Sequence, residues 1–551
     1  MWMNRRRFGQ ASLAALAAGC GARPPDLIIH GGPIYTGVAA RPRVEALRVS
    51  GARIAFAGAL DEARSDARGA RMIDLQGAAA FPGFTDAHVH LVGVGLAAMA
   101  LDLVGVVSLA AMTEALRAYA TVHPEGPIVG RGWIETHWPE RRFPTRADLD
   151  AAAPDRPVML TRADGHAVVV NSAALALAEI DANTPDPQGG RIERDASGAA
   201  TGILIDNAIT LVGSRLPEPT AAMRRDALMQ AARLYASRGW TGIANMSTSL
   251  EEATFFQEFA ANGELPLQAD IYLNPGDAEV VFERGPYADA TGSVHVRGVK
   301  LYMDGALGSR GAALLAPYSD APGDGLLVTP VEAMREILRR ARERGVQIAA
   351  HAIGDRGNRL VLDAYRDAFA DAPEALRAAR WRIEHAQVIA SADLPRFAQM
   401  GIIASMQPSH AIGDLHFAPA RLGQARLAGA YAWRSLLDSG AVIAAGSDAP
   451  VEKGDPLIEF YAAAYRHDLA GFAGEGWHLD QAVSREQALR MLTWAPAYAA
   501  FEEESRGTLE VGRQADISAF SADLMQAAPA EIPAALPVLT VAAGRVTHDA
   551  L

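Results

Sequence analysis

Two histidines two residues apart, His88 and His90 in FPGFTDAHVHL, are the first residues of the chain whose type and spacing suit metal chemistry. On a β-strand alternate side chains share a face, so both imidazoles can grip one ion. Such a pair is also common as packing or surface, and its meaning depends on the groups around it. Three more ionisable residues each follow a short apolar run: His351 closes VQIAAH, His385 closes WRIEH and Asp448 follows AVIAAGS. The C-terminal ends of strands are where a barrel keeps its catalytic groups. Cys20 is the only cysteine, which excludes a thiolate metal cluster and a disulfide within the chain.

Positioning these groups requires strands that converge. Strand-like runs are read near 80–88, 241–246, 268–273, 296–303, 347–351, 382–385, 402–407 and 442–446, with helix-period stretches such as 330–344 and 371–380 between them. Eight strands alternating with helices describe an α/β fold, a (β/α)8 TIM-like barrel over 80–505. A segment of about 101–219 is too long for a connection and is expected to form a lid or subdomain. Glycine-punctuated apolar runs flank the barrel: LIIHGGPIYTG, ALRVSGARIAFAG and RMIDLQG within 26–79, GTLEVGRQADISAF and VLTVAAGRV within 506–551. They read as hairpins, and a small β-sandwich domain assembled from both chain ends is expected.

The strings FPGFTDAHVHL, GVKLYMDGALGSR, HAIGDRGN, RIEHAQ and GSDAPV, in this order, resemble signatures of the amidohydrolase superfamily. They are most similar to the branch that contains N-substituted formamide deformylases, and the likeness runs from Asp26 to the terminal GTLEVGRQADI. The resemblance implies a distorted barrel holding one or two divalent ions, zinc by preference. By position, His88, His90 and Asp448 would hold one ion, and His351 and His385 the second. Lys300, ending the fourth strand, matches the family's lysine that takes up carbon dioxide as a carbamate and bridges both ions. An ammonium cannot bind a cation, whereas a buried lysine of depressed pKa can be carbamylated and an arginine cannot. Lys300 and Lys453 are the only lysines, which adds weight to one standing there. The alternative is a lysine paired with an acid such as Asp304.

The same resemblance implies hydrolysis of a non-peptide carbon–nitrogen bond, amide or N-acyl, in a small-molecule substrate. A bound ion makes hydroxide available near neutral pH, and Asp448, touching ion and water, would carry the proton to the leaving nitrogen. Esters, lactones or dipeptides suit the same site. Nucleobase deamination is disfavoured, because HAIGD has Asp355 where deaminases of the superfamily carry a glutamate. A barrel that has lost catalysis and acts as a binding lipoprotein is the remaining alternative. Secondary candidates are His166 of Asp164-Gly165-His166 as a substrate or oxyanion contact, and Arg310 as a carboxylate ligand or loop anchor. Trp133 and Trp138 are read as pocket walls or packing, and His410 and His416 as residues of a loop beyond the seventh strand. His123 and His137 are assigned no role.

The net charge of −13 and the absence of a basic run give no sign of a nucleic-acid partner. Residues 1–22 contain NRRRFGQASLAALAAGC, which resembles a twin-arginine export signal ending in a lipoprotein-like box at Cys20. The expectation is a periplasmic or membrane-tethered protein whose membrane contact is a lipid on Cys20. No later run stays apolar for about 20 residues, the length a spanning helix needs. Barrel-helix patterning leaves monomer and oligomer both open.

Overall fold

The computed structural model describes residues 26–551 except 66, 68, 136–137, 163–166, 188–189, 207, 309 and 475. The expected signal at 1–22 with Cys20, the Asp164-Gly165-His166 motif and His137 lie outside the described residues.

Eight parallel strands form the barrel: β1 Phe84–Val89, β2 Trp240–Thr248, β3 Gln268–Leu273, β4 Val294–Tyr302, β5 Gln347–Ala352, β6 Arg382–His385, β7 Ile403–Met406 and β8 Ile443–Ala445. Each pairs with the next in chain order. Every residue of β1, β3 and β6 is buried, as parallel strands covered on both faces require. Helices supply the outer cover by amphipathic spacing. In Val331–Arg344, Met334, Leu338 and Ala341 are buried, while Arg335 and Arg339 pair with Glu332 and Glu336 outside. Gly345 ends that helix in the left-handed conformation.

Strands β2 to β8 fall within two residues of their sequence-derived positions. The first expected strand does not hold as one element. It breaks at Gly83, whose N–H donates to Asp516 O at 2.8 Å. Ala79–Pro82 then joins a different sheet, pairing antiparallel with Ile517–Phe520.

The barrel closes where β8 meets β1. Asp448 N–H donates to His88 O at 2.7 Å, and His90 N–H donates to Ala449 O at 2.9 Å. Beneath them the buried Asp86 carboxylate accepts from Ser447 N (2.8 Å), Ser447 Oγ (2.6 Å) and Tyr235 Oη (3.2 Å). A Cβ at Gly446 would lie 2.3 Å from His88 N and 2.8 Å from Asp86 Oδ1. Glycine alone permits this approach.

Both chain ends do meet, in an eight-stranded sheet that includes Leu27–Tyr35, Arg43–Ser50, Ala79–Pro82, Ile517–Phe520 and Pro537–Ala542. Its hydrogen bonding runs as one continuous sheet, so the two facing layers of the expected sandwich are not defined by it. Between β1 and β2, a six-stranded sheet from Leu101–Asp102 to Ala200–Asp206 folds with short helices around two apolar clusters of its own.

Replacing Gly446 by alanine should open the barrel seam. A loss of roughly 1–3 kcal/mol, the usual cost of overpacking, is expected as a lowered melting temperature, with reduced metal uptake. Unchanged melting and uptake would show that the seam tolerates a side chain.

Candidate metal centre

Three of the candidate imidazoles, His88, His90 and His385, are held at Nδ1 by an acceptor. His88, fully buried on β1, sets Nδ1 2.6 Å from Glu384 Oε2. Its Nε2 faces inward, 3.3 Å from Asp448 Oδ1 and 3.2 Å from Lys300 Nζ. His90 Nδ1 is 3.2 Å from Met246 O, which directs Nε2 to within 3.2 Å of the same Asp448 oxygen. His385 Nδ1 lies 2.8 Å from Gln407 Oε1. In all three the acceptor takes an Nδ1–H and leaves the Nε2 lone pair for an ion, the usual division of labour around ligating histidines.

Backbone conformation aims two of these groups. By strand alternation Arg382 and Glu384 share a face of β6, and His385 follows them directly. A left-handed φ of +71° at His385 and +43° at Ala386 redirects the chain at the strand's end. Asp448 adopts φ +58°. Such conformations cost about 1–3 kcal/mol each and persist only where surrounding contacts hold them.

Among the described residues two of the donor sets close enough to hold an ion share Asp448: His88, His90 and Asp448, and His385, His410 and Asp448; a third, Asp270, His295 and Glu502, does not include it. Asp448 belongs to the first two, with Oδ1 facing His88 and His90 and Oδ2 3.7 Å from His410 Nε2. His351 lies beside the second set, its ring 4.5 Å from that of His385. The buried His410 Nε2 and His351 Nε2 have no hydrogen-bond partner among the described residues. Buried polar atoms are normally satisfied, so orphaned imidazole nitrogens beside a shared carboxylate fit a metal centre.

The charges are set for binding. Burial lowers His90, lowers His351 to about 3 and takes His385 well below the usual histidine range. These rings are therefore neutral near pH 7, as metal ligands must be. Burial works to raise Asp448, but the facing histidines override it and hold the carboxylate well below its ordinary range. Burial likewise opposes Glu384, yet Arg382 and His88 hold it at about 2. Arg382, itself buried, reaches Glu384 at 2.7 and 3.0 Å and also donates to Ala87 O and Ser405 Oγ.

Lys300 is buried, and desolvation lowers its amine to about 8 against the attraction of Glu384 and Asp448. Asp304, its alternative partner, is committed to the N–H groups of Ala313, Ile353 and Gly354. A cavity of about 220 Å3 opens beside His90, lined by Met246, Ser247, Glu218 and Arg224 among others.

Trp133, read as pocket wall or packing, and Arg310, read as carboxylate ligand or loop anchor, make the contacts of the second reading in each case. Trp133 is fully buried in the insertion's core, its indole N–H donating to Leu160 O at 2.8 Å. It packs there. Arg310 directs its guanidinium to Asp320 at 2.9 and 3.1 Å, which ties the loop after β4 instead of presenting a free cation. His416 is exposed and paired with Asp468. Sequence reasoning missed the supporting roles of Arg382, Glu384 and Gln407, and it treated His410 as a loop residue. The inward face of RIEH was the available signal for the first two.

The profile of the amidohydrolase family matches residues 71–548. The chain is similar to the YtcJ protein of Bacillus subtilis (strain 168), 33% identical over 95% of this chain and 99% of that one. It is 30% identical to an N-substituted formamide deformylase of Arthrobacter pascens, covering 92% and 95% of the two chains. Among solved structures it is similar to a metal-dependent hydrolase from Pyrococcus horikoshii OT3, with TM-score 0.76 and 26% identity over 92% of this chain and 99% of that one.

Glu384→Gln keeps the shape but removes the charge that orients His88. Metal affinity, measured by chelator competition, should fall roughly 10–100-fold, the range for lost partners of ligating histidines. An unchanged affinity would mean that Glu384 does not support the ligand.

Proposed function

We propose that this chain, which belongs to the amidohydrolase family and is a metal-dependent hydrolase, cleaves a non-peptide carbon–nitrogen bond of the amide or N-acyl type. The observation that carries this reading is Asp448, one carboxylate common to two donor sets and held ionised among imidazoles. The likeness to a formamide deformylase supports the choice of bond.

His88, His90 and Asp448 would hold one ion, and His385 with His410 or His351 a second, zinc being the preferred metal for this donor chemistry. When bound, such ions lower the pKa of water and polarise a carbonyl oxygen. Asp448 would accept the proton of an attacking water and pass it to the departing nitrogen, which must leave as a neutral amine. Glu384 and Gln407 keep His88 and His385 oriented while charge moves between substrate and Asp448. Lys300, as a carbamate, would contribute a negative oxygen donor where an ammonium would repel ions. Its lowered pKa supports this, because only the neutral amine reacts with carbon dioxide and its fraction rises as pH climbs through about 8.

Asp448→Asn should lose at least about 1,000-fold in kcat on a panel of N-formyl and N-acyl amides, a loss within the span seen when proton-transfer groups are removed. It should retain most of its metal. Near-normal turnover would remove Asp448 from the mechanism, and a panel on which only esters react would reassign the bond. Lys300→Ala should be inactive and partly rescued by short carboxylates, which offer the missing oxygen donor. Full activity without rescue would eliminate the carbamate.

A further inference from the structure

The end of β2 departs from regular strand. Its pairing with β3 shifts register between Asn245 and Thr248, and Ser247 stands there with φ +55°. Such bulges re-aim side chains next to active sites, and left-handed backbone at a non-glycine residue persists only where its surroundings hold it. Here the neighbours are held. Asn245 accepts from Leu91 N at 2.8 Å and donates to Thr248 Oγ1 at 2.7 Å, while Met246 O lies 3.2 Å from His90 Nδ1. The residue so displayed is Ser247, which is partly exposed and lines the cavity of about 220 Å3 together with His90.

Tyr302, the last residue of β4, meets it there, with Oη hydrogen-bonded to Ser247 Oγ. By strand alternation Tyr302 shares a face with Lys300, whose Nζ is 5.2 Å from the centre of the phenol ring. The same ring lies 5.7 Å from that of His351. The hydroxyl pair therefore links the cavity to the candidate ligands. Neither hydroxyl has a second hydrogen-bond partner among the described residues. Two hydroxyls carry two protons, and the bond between them uses one. The phenol is the stronger acid and the better donor, so the proton left over sits on Ser247 Oγ, beside the cavity.

We propose that Ser247 is a catalytic residue whose hydroxyl, with Tyr302 as its positioning residue, donates to the substrate's carbonyl oxygen as negative charge gathers there. In an amide the carbonyl oxygen is the acceptor and the nitrogen carries donors, so one spare O–H selects the oxygen. The hydrogen bond strengthens as water adds to the carbon and the carbonyl electron pair moves onto oxygen. Ser247 keeps its proton throughout. Tyr302, by donating to Ser247 Oγ, polarises that hydroxyl and fixes where its proton points. The role rests on the proposed hydrolysis of an acyl compound; it does not depend on whether the leaving atom is nitrogen or oxygen.

The test compares the metal-loaded wild type with Ser247→Ala, Tyr302→Phe and the double variant on N-formyl and N-acyl amides and on the matching esters. Ser247→Ala should lose about 100–1,000-fold in kcat, the range for one lost oxyanion donor. Its KM should change less than about threefold, with metal content and melting temperature as in wild type. Tyr302→Phe should lose less, and adding it to Ser247→Ala should cost nothing further, because the phenol acts through the serine. Calorimetry with methylphosphonate, a tetrahedral anion, gives a readout apart from turnover: its affinity should fall at least tenfold in Ser247→Ala. An unchanged kcat, a loss confined to KM, independent losses from the two variants, or an unchanged methylphosphonate affinity would overturn the proposal. If Ser247→Ala does not keep its metal, Ser247→Gly is read by the same criterion, since glycine suits φ +55°. Turnover of esters alone would correct the proposed bond and leave the role of Ser247 standing. Amides cleaved at the wild-type rate by Ser247→Ala would do the reverse. Should neither class react, the methylphosphonate affinities decide.

Discussion

The seam between β8 and β1 is the constraint on which the site depends. Asp448 and His88 come from strands at opposite edges of one sheet, and only closure makes them neighbours. The hydrogen bond from Asp448 N to His88 O joins the two candidate ligands through their own backbones. Asp86 reinforces it from below, and burial raises this carboxyl to about 6 while Ser447 and His88 N–H groups favour its charge. The geometry of the candidate metal centre and the barrel seam are thus a single structural condition.

A second constraint is electrostatic. Arg382 and Glu384 bury an ion pair within the barrel, and buried pairs seldom stabilise a fold beyond what packed apolar groups would. Their value here is orientation. The pair delivers one ionised oxygen to His88 Nδ1, and Arg382 also anchors Ala87 O, directly before that histidine. Removing either member would leave an unpaired charge in the core, which is costly by about 3–5 kcal/mol.

Much of the barrel was legible because parallel strands buried on both faces read as short apolar runs, and His351, His385 and Asp448 stand directly after such runs. The first strand was misread because FPGF looks continuous, although Gly83 passes the chain from one sheet to another. Glu384 was hidden inside a motif whose visible member was His385; its role lies in contact with a histidine nearly three hundred residues away. Left-handed φ values at His385 and Asp448 are set by tertiary contacts and leave no local mark on non-glycine residues. Trp133 was left between pocket wall and packing because composition cannot distinguish a cleft from the core of an inserted sheet. The strand pairing does not define the two layers of the expected sandwich, and strand order between chain ends is not encoded in either end alone.

The pairing of Ala79–Pro82 with Ile517–Phe520 also bears on how the chain is made. During synthesis, the strand that leads into β1 emerges long before its partner exists, and β8 emerges late as well. The amino-terminal strands must therefore wait with unpaired edges, the condition in which chains stick to one another. Pairings so distant in sequence also slow the search for the native state. Emergence of Ile517–Phe520, rather than of the first candidate ligands, is then the moment at which this pairing can first be completed.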